Sequence, residues 1–225
     1  MDTSFIVIIA FQLAVLLFSI MIHEVSHGAV ALYLGDDTAK RLGRLTLNPL
    51  KHIDPVGSIL LPLLLVLFNG PVIFGWAKPV PYNPYNLKNP KRAAAIIAAA
   101  GPLSNIVIAV IFSLLLYIPL LMGASTMLIA AFGFIILINL LLAIFNLVPI
   151  PPLDGSKLLF ALLPNMSFKF QRFLEMYGFF FLILFIFLGL RYLFGFVLLV
   201  FALLLTLVGI DPNIVIGAIA GLAGG

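Results

Sequence analysis

Long uninterrupted runs of apolar side chains constrain the fold of this chain more than any other feature. Hydrophobic residues make up 64% of its 225 residues and charged residues only 9%, whereas soluble domains are close to half apolar and a quarter charged. A soluble core cannot bury that much apolar surface. Because a bilayer is crossed by helices of about 20 apolar residues whose backbone is hydrogen-bonded internally, the sequence predicts an all-α polytopic membrane protein.

The apolar runs predict about five transmembrane helices and one shorter segment. The short run, residues 56–68, is broken by Pro62 and precedes Asn69-Gly70-Pro71, so we expect a re-entrant or interfacial segment there. The first run lacks the basic start and the cleavage site of a signal peptide and is expected to be a retained helix. The predicted spans are residues 5–34, 93–121, 127–148, 173–188 and 192–208.

The first span carries a metal-binding pattern near its end, His23-Glu24-Val25-Ser26-His27. On a helix, residues i and i+4 share a face, so both imidazoles can reach one ion. Glu24 lies beside them and can act as the general base toward a water molecule. Ionisable groups inside a span are costly and are usually functional, and a catalytic zinc takes three protein ligands and leaves one position open.

The third ligand must be His, Asp or Glu, because the chain contains no cysteine. His52 and Asp54 in a polar loop and Glu175 near a later span are candidates, although we expect His52 to be a surface histidine. Asp154 is favoured because it follows Pro149-Ile150-Pro151-Pro152, which prevents a helix, and precedes Gly155. Irregular backbone at membrane depth is tolerated where it lines a cavity, so a carboxylate there is well placed to face a metal.

Three landmarks in this order resemble the site-2 protease family of intramembrane metalloproteases, in its short, single-domain prokaryotic form. They are His23-Glu24-Val-Ser-His27, Gly101-Pro-Leu-Ser-Asn105, and Asn146 followed by Pro149-Ile-Pro-Pro-Leu-Asp154-Gly155. The resemblance implies one Zn²⁺ per chain held by His23, His27 and Asp154, with Glu24 catalytic. It further implies that Asn146 and Asn105 steady the substrate or the oxyanion. The chain leaves no room for the PDZ or CBS domain that many members carry.

The basic residues indicate which face of the membrane the site occupies. If residues 56–68 form a re-entrant segment, the HExxH motif, Asn105 and Asp154 lie near one face of the membrane, together with every basic residue except Arg191. If residues 56–68 span the membrane, the basic residues are divided between the two faces. Because basic residues mark cytoplasmic loops, we expect an outside N-terminus and a site open toward the cytoplasm, in a prokaryotic inner membrane. A steeply tilted short helix would produce a similar pattern.

These observations predict a zinc-dependent endopeptidase that cleaves transmembrane or membrane-proximal peptide bonds, with Glu24 assisting the attack of water. Its partners are a membrane protein or peptide substrate and the lipid bilayer. The net charge of +4 indicates cytoplasmic loops rather than nucleic-acid binding, and nothing in the sequence specifies an oligomeric state. We expect one domain over residues 1–225, with a catalytic core of three helices at about 5–160 and accessory helices at about 170–210. The alternatives are a catalytically idle scaffold and a metal transporter of the same fold.

A transmembrane substrate must unwind before its carbonyls can be attacked. An extended strand in residues 45–48 or 72–79 would hold it by edge pairing. The equally weighted alternative is a plain interfacial loop anchored by Trp76, Tyr82 and Tyr85.

Overall fold

The computed structural model describes residues 3–68, 78–163 and 167–223, and in these ranges the chain is helical with no strand. A π-helix, Pro55–Leu60, runs directly into α3, and 3-10 turns occupy Pro49–Lys51 and Pro84–Asn86. The α-helices of the described ranges are α1 Thr3–Tyr33, α2 Thr38–Arg41, α3 Leu61–Leu67, α4 Pro90–Leu115, α5 Tyr117–Leu121, α6 Thr126–Asn146, α7 Asp154–Leu162, α8 Phe168–Leu207 and α9 Pro212–Ala223.

Four helical segments of the described chain are long and apolar enough to cross a membrane. They are Ile6–Tyr33, Pro90–Leu121, Thr126–Asn146 and Phe168–Leu207. The second contains a break between α4 and α5, because Pro119 lacks an N–H and its ring crowds the carbonyl four residues earlier. The all-α polytopic membrane fold predicted from the apolar runs is therefore confirmed.

The number of spans differs from the expected five because α8 is continuous. Residues 173–188 and 192–208 belong to one helix of 40 residues, and the predicted break around Arg191 is wrong. The helix is continuous because no proline or turn sequence lies between Phe168 and Leu207. A single exposed arginine leaves the backbone hydrogen bonds of the helix intact, and one glycine, Gly189, costs only about 1 kcal/mol.

The bundle is held by α1, α4 and α6 on one side and by α8 and α9 against α6 on the other. Its largest apolar cluster joins Ile136 of α6 to Val197 and Phe201 of α8, all fully buried. Gly133 lets α9 approach α6 closely, since a Cβ there would lie 2.4 Å from Cγ1 of Val215. The His23–His27 motif on α1 is therefore part of a helix that packs against two other apolar helices, α4 and α6.

The backbone before residue 53 and the backbone after residue 77 lie close together. Lys78 donates its backbone N–H to the carbonyl of His52 at 2.8 Å, so the two ends of the segment 53–77 meet. The helices within it, Pro55–Leu60 and Leu61–Leu67, together extend about 20 Å, less than the hydrocarbon thickness of a bilayer. This geometry agrees with the predicted re-entrant or interfacial segment.

The hypothetical substrate-binding strand is only partly described. Residues 45–48 are irregular and form no strand. Residues 69–77, which include Trp76 and most of the second candidate segment, lie outside the described residues.

Asp36, just beyond the end of α1, fastens a distant loop to that helix. Its carboxylate accepts hydrogen bonds from the backbone N–H of Asn83 at 2.7 Å and from Nδ2 of Asn86 at 2.6 Å, and Thr38 donates from Oγ1. Burial raises the pKa of the Asp36 carboxyl, but the hydrogen bonds from Thr38, Asn83 and Asn86 outweigh it and hold that pKa below its usual value. Residues 83–86 are thereby pinned beside the end of the motif helix.

Candidate metal centre

The two histidines of the motif lie on one face of α1. His23 and His27 are both buried, and their rings pack edge to face with centroids 4.7 Å apart. They are one helical turn apart, as the i, i+4 spacing predicts. The face that they share looks into the bundle, toward α4 and the start of α7.

Asp154 reaches this face because the chain doubles back after α6. The segment 147–153 is irregular because its three prolines, Pro149, Pro151 and Pro152, prevent a helix, and α7 begins at Asp154. A Cβ on Gly155 would lie 2.2 Å from the carbonyl oxygen of Leu147. Only glycine permits that approach, which returns Asp154 to the level of the end of α6.

The structure brings His23, His27 and Asp154 together. Oδ2 of Asp154 lies 3.1 Å from Nε2 of His23 and 3.1 Å from Nε2 of His27, and one ligand atom from each residue lies within 4.8 Å of the others. Ligands of a tetrahedral zinc at about 2.0–2.1 Å are separated by about 3.3 Å. The spacing therefore suits one zinc ion, and no other such group exists in the described ranges.

The outer hydrogen bonds of the two imidazoles fix their tautomers. Nδ1 of His27 lies 2.7 Å from the carbonyl oxygen of Ile97, which can only accept, so Nδ1 carries the proton. Nδ1 of His23 lies 2.7 Å from Oδ1 of Asn105 and likewise donates. Both Nε2 atoms then present lone pairs to the Asp154 carboxylate, so a proton or a metal cation must lie between them.

The charge state of Asp154 supports cation binding. Burial raises the pKa of its carboxyl, but the interactions with His23, His27 and Lys157 outweigh burial and hold the pKa well below its usual range. Lys157, one turn further along α7, places Nζ 3.6 Å from Oδ1. Asp154 is therefore an ionised carboxylate, the form that a metal requires.

Gly101 on α4 provides the space in which the histidines sit. A Cβ at this position would lie 2.5 Å from Nε2 of His23 and 2.6 Å from Cε1 of His27. Gly101 therefore packs directly against both imidazole rings, on the edges that face Asp154.

Glu24, next to His23 on α1, is hydrogen-bonded to a loop. Its Oε2 accepts the backbone N–H of Val80 at 2.9 Å. Val80 lies between Pro79 and Pro81, so it has the one N–H in that tripeptide. The Val80 side chain occupies the notch left by Gly28, where a Cβ would lie 2.6 Å from Cγ1 of Val80.

The two asparagines predicted to contact substrate are placed differently. Asn105 is fully buried and holds His23, which is a positioning contact. Asn146, at the end of α6, donates from Nδ2 to the Leu142 carbonyl of its own helix at 2.9 Å. The sequence-based reasoning missed Ser19 and Asn139, which continue the hydrogen bonds from Asn105; a polar residue within a span was the available signal.

The remaining candidates for the third ligand lie elsewhere. Asp54 caps the π-helix through the N–H groups of Val56 and Gly57. Glu175 lines a cavity of about 550 Å³ that Lys157 and Tyr82 also border. The prediction that His52 is a surface residue is wrong: it is fully buried. Its Nε2 bonds to the Thr46 carbonyl, and its own carbonyl accepts the backbone N–H of Lys78.

Comparison with known proteins gives a consistent result. Residues 118–186 match Peptidase family M50. YwhC of Bacillus subtilis, named as a zinc metalloprotease, is 43% identical over 178 residues, covering 76% of this chain and 78% of YwhC. Rip2 of Mycolicibacterium smegmatis, named likewise, is 30% identical over 177 residues, covering 75% of this chain and 62% of Rip2. A shorter stretch of 65 residues is 49% identical to MJ0611 of Methanocaldococcus jannaschii. No solved structure matches the chain.

Proposed function

This chain belongs to peptidase family M50, the zinc metalloproteases that include site-2 protease, and we propose that it hydrolyses peptide bonds within or beside the membrane. In this proposal His23, His27 and Asp154 bind the zinc and Glu24 is the general base. The substrate is a transmembrane or membrane-proximal segment of another protein. The enzyme is an integral membrane protein with one zinc per chain.

The proposal depends mainly on the depth in the membrane at which His23, His27 and Asp154 meet. His23 is 20 residues after the start of α1, about 30 Å along that helix, and Asp154 is held at the level of the end of α6. The ligands therefore come from one spanning helix, α1, and from the segment after α6 that folds back toward it. A peptide bond attacked at this point lies near the edge of the hydrocarbon layer.

Zinc, when bound, supplies Lewis-acid polarisation of a carbonyl and lowers the pKa of water. The residues of the chain supply the rest. Glu24 takes the proton of the attacking water and passes it to the leaving amine, and the Val80 N–H holds its carboxylate. Asn105 keeps Nδ1 of His23 protonated. Asn146 uses one N–H for Leu142, and its second N–H serves the developing oxyanion.

We further propose that the site opens toward the cytoplasm of a prokaryotic cell, with the N-terminus outside. The backbone hydrogen bond between Lys78 and His52 supports placing the basic segments before and after it on one face, and cytoplasmic loops carry such residues. Residues 1–225 would then form one membrane-embedded domain, with its core at about 5–160. The helices at about 170–210 are accessory, and Gly178 of α8 packs on Pro151.

The test compares wild type with Glu24→Gln and Asp154→Ala. Each protein is reconstituted with a membrane protein extract, and new N-termini are mapped by mass spectrometry. Wild type should produce termini within or near hydrophobic segments, and both variants should produce none. Bound zinc should be about one per chain in wild type and in Glu24→Gln, and lost in Asp154→Ala.

The outcomes separate the proposal from its alternatives. Equal sets of termini from wild type and Glu24→Gln would refute the role of Glu24 and favour an idle scaffold. Zinc flux into liposomes that survives Glu24→Gln would favour a transporter.

A further inference from the structure

A network of buried amides and one hydroxyl connects His23 to a helix that contributes no ligand. Nδ2 of Asn105 donates to Oδ1 of Asn139 on α6 at 2.8 Å and to the backbone carbonyl of Ser19 at 3.3 Å. Nδ2 of Asn139 donates to Oγ of Ser19 at 3.0 Å and to the Ile135 carbonyl at 2.9 Å. We call Ser19, Asn105 and Asn139 the amide network.

The amide network is isolated from solvent. Asn105 and Asn139 are fully buried and Ser19 is 4% exposed. Asn139 precedes Asn146 by seven residues, which places it about 10 Å further into the bundle along α6. Ser19 is one helical turn before His23 and shares its face of α1. Polar groups at such a depth are costly unless every hydrogen bond is made.

The hydrogen bonds of the amide network have only one consistent direction. The carbonyls of Ser19 and Ile135 can only accept. Asn139 must therefore direct its Nδ2 toward Ile135 and its Oδ1 toward Asn105. Asn105 must direct its Nδ2 toward Asn139 and Ser19, which leaves its Oδ1 for Nδ1 of His23.

We propose that Asn139, assisted by Ser19, is a positioning residue of the zinc site. Without the acceptor on Asn139, the orientation of the Asn105 amide rests on the longer 3.3 Å contact with the Ser19 carbonyl. A rotated amide would present Nδ2 to His23 and favour the tautomer with its proton on Nε2. That tautomer has no lone pair for the metal. The inference rests on the proposed function, in which His23 binds zinc through Nε2.

A simple packing role for Asn139 makes a different prediction. Hydrogen bonds between membrane helices also stabilise a bundle without any effect on a ligand. In that case Asn139→Leu would lower stability as other substitutions in α6 do and would leave zinc affinity unchanged. The neighbouring core residue Leu140 is 3% exposed, so Leu140→Ala is the matched control for loosening the same helix.

The experiment measures the zinc dissociation constant of detergent-solubilised, metal-depleted protein by competition with a chromophoric chelator. Asn139→Leu should bind zinc about tenfold more weakly, the lower bound for loss of an outer-shell partner. Asn139→Asp, which keeps an acceptor for Asn105, should stay within about threefold of wild type, and Ser19→Ala should be intermediate. Leu140→Ala should lower the melting temperature and leave zinc affinity unchanged.

Substitution of Co²⁺ gives a second readout, because its visible absorption reports the ligand geometry that Asn139→Leu should alter. Equal zinc affinities and cobalt spectra for wild type and Asn139→Leu would overturn the positioning role alone. Equal weakening by Leu140→Ala and Asn139→Leu would also overturn it, since general loosening would then explain the loss. A wild type that binds no zinc would overturn the proposed function as well.

Discussion

Replacing Gly101 by alanine should disable the zinc site without changing any ligand. The added Cβ would lie 2.5 Å from Nε2 of His23 and 2.6 Å from Cε1 of His27. Unstrained contacts between such atoms are about 3.5 Å, so each ring would have to retreat by about 1 Å. A zinc site tolerates ligand displacements of only about 0.2 Å.

The magnitude follows from these distances. Loss of one outer-shell partner already costs a metal site about 10- to 100-fold in affinity. Displacing two ligands together should cost at least about 100-fold, equivalent to about 2.7 kcal/mol of binding free energy. The assay is zinc competition with a chelator on purified Gly101→Ala, with the melting temperature recorded to show that the helices remain folded.

Gly133→Ala is the matched control for this substitution. Its Cβ would lie 2.4 Å from Cγ1 of Val215, an equally close approach made to an apolar side chain of α9. We expect a loss of about 1–3 kcal/mol in stability from overpacking and a zinc affinity equal to that of wild type. A folded Gly101→Ala protein with wild-type zinc affinity would refute the placement of both imidazoles against α4.

Three further predictions follow from other contacts. Val80→Pro removes the N–H that holds Glu24 and should lower kcat about 10- to 100-fold, the worth of a hydrogen bond to a charged group, with zinc content unchanged. Val80→Ala keeps the N–H, so its kcat in the same cleavage assay should remain within about threefold of wild type. Asp36→Asn should destabilise the protein by about 1–3 kcal/mol at pH 7. Because the folded pKa of Asp36 is lowered, its stabilisation is present above the unfolded pKa of about 3.9 and is lost as pH falls below that value. Denaturation curves of wild type and variant should therefore converge at acid pH, and a constant difference would contradict this reasoning. Removing zinc with a chelator should lower the melting temperature of wild type, since zinc at about 1,000 times its dissociation constant contributes about 4 kcal/mol, whereas Asp154→Ala should not respond.

The fold class and the meeting of His23, His27 and Asp154 could be predicted from the sequence because they depend largely on local patterns. The HExxH spacing determines that His23 and His27 share a helix face, and the proline run determines that Asp154 stands on irregular backbone. The resemblance of the three landmarks to a known family supplied their pairing across 131 positions of sequence. The confirmed membrane architecture follows from the apolar runs.

The errors arose where tertiary contacts decide. Arg191 resembles a loop residue in the sequence, yet α8 continues through it because no backbone hydrogen bond is lost. His52 resembles a surface residue, yet it is buried and its backbone bonds to Lys78, a contact that no local pattern encodes. Asn139 drew no attention, because its role depends on partners in α1 and α4 that are 120 and 34 residues away in sequence.

The length of α8 connects the enzyme to the thickness of its membrane. Gly178 packs on Pro151, in the irregular segment that follows α6, and the 29 residues from there to Leu207 extend about 44 Å. A hydrocarbon layer of about 30 Å covers that length only at a tilt steeper than the usual 0–40° range. α8 therefore experiences hydrophobic mismatch, while α6, with 21 residues and about 31 Å of length, does not. A thicker bilayer would lessen the mismatch of α8 and create one for α6, so lipid chain length should change the tilt of α8 against α6. Pro151, on the loop that carries Asp154, contacts α8 at Gly178 and would feel that change.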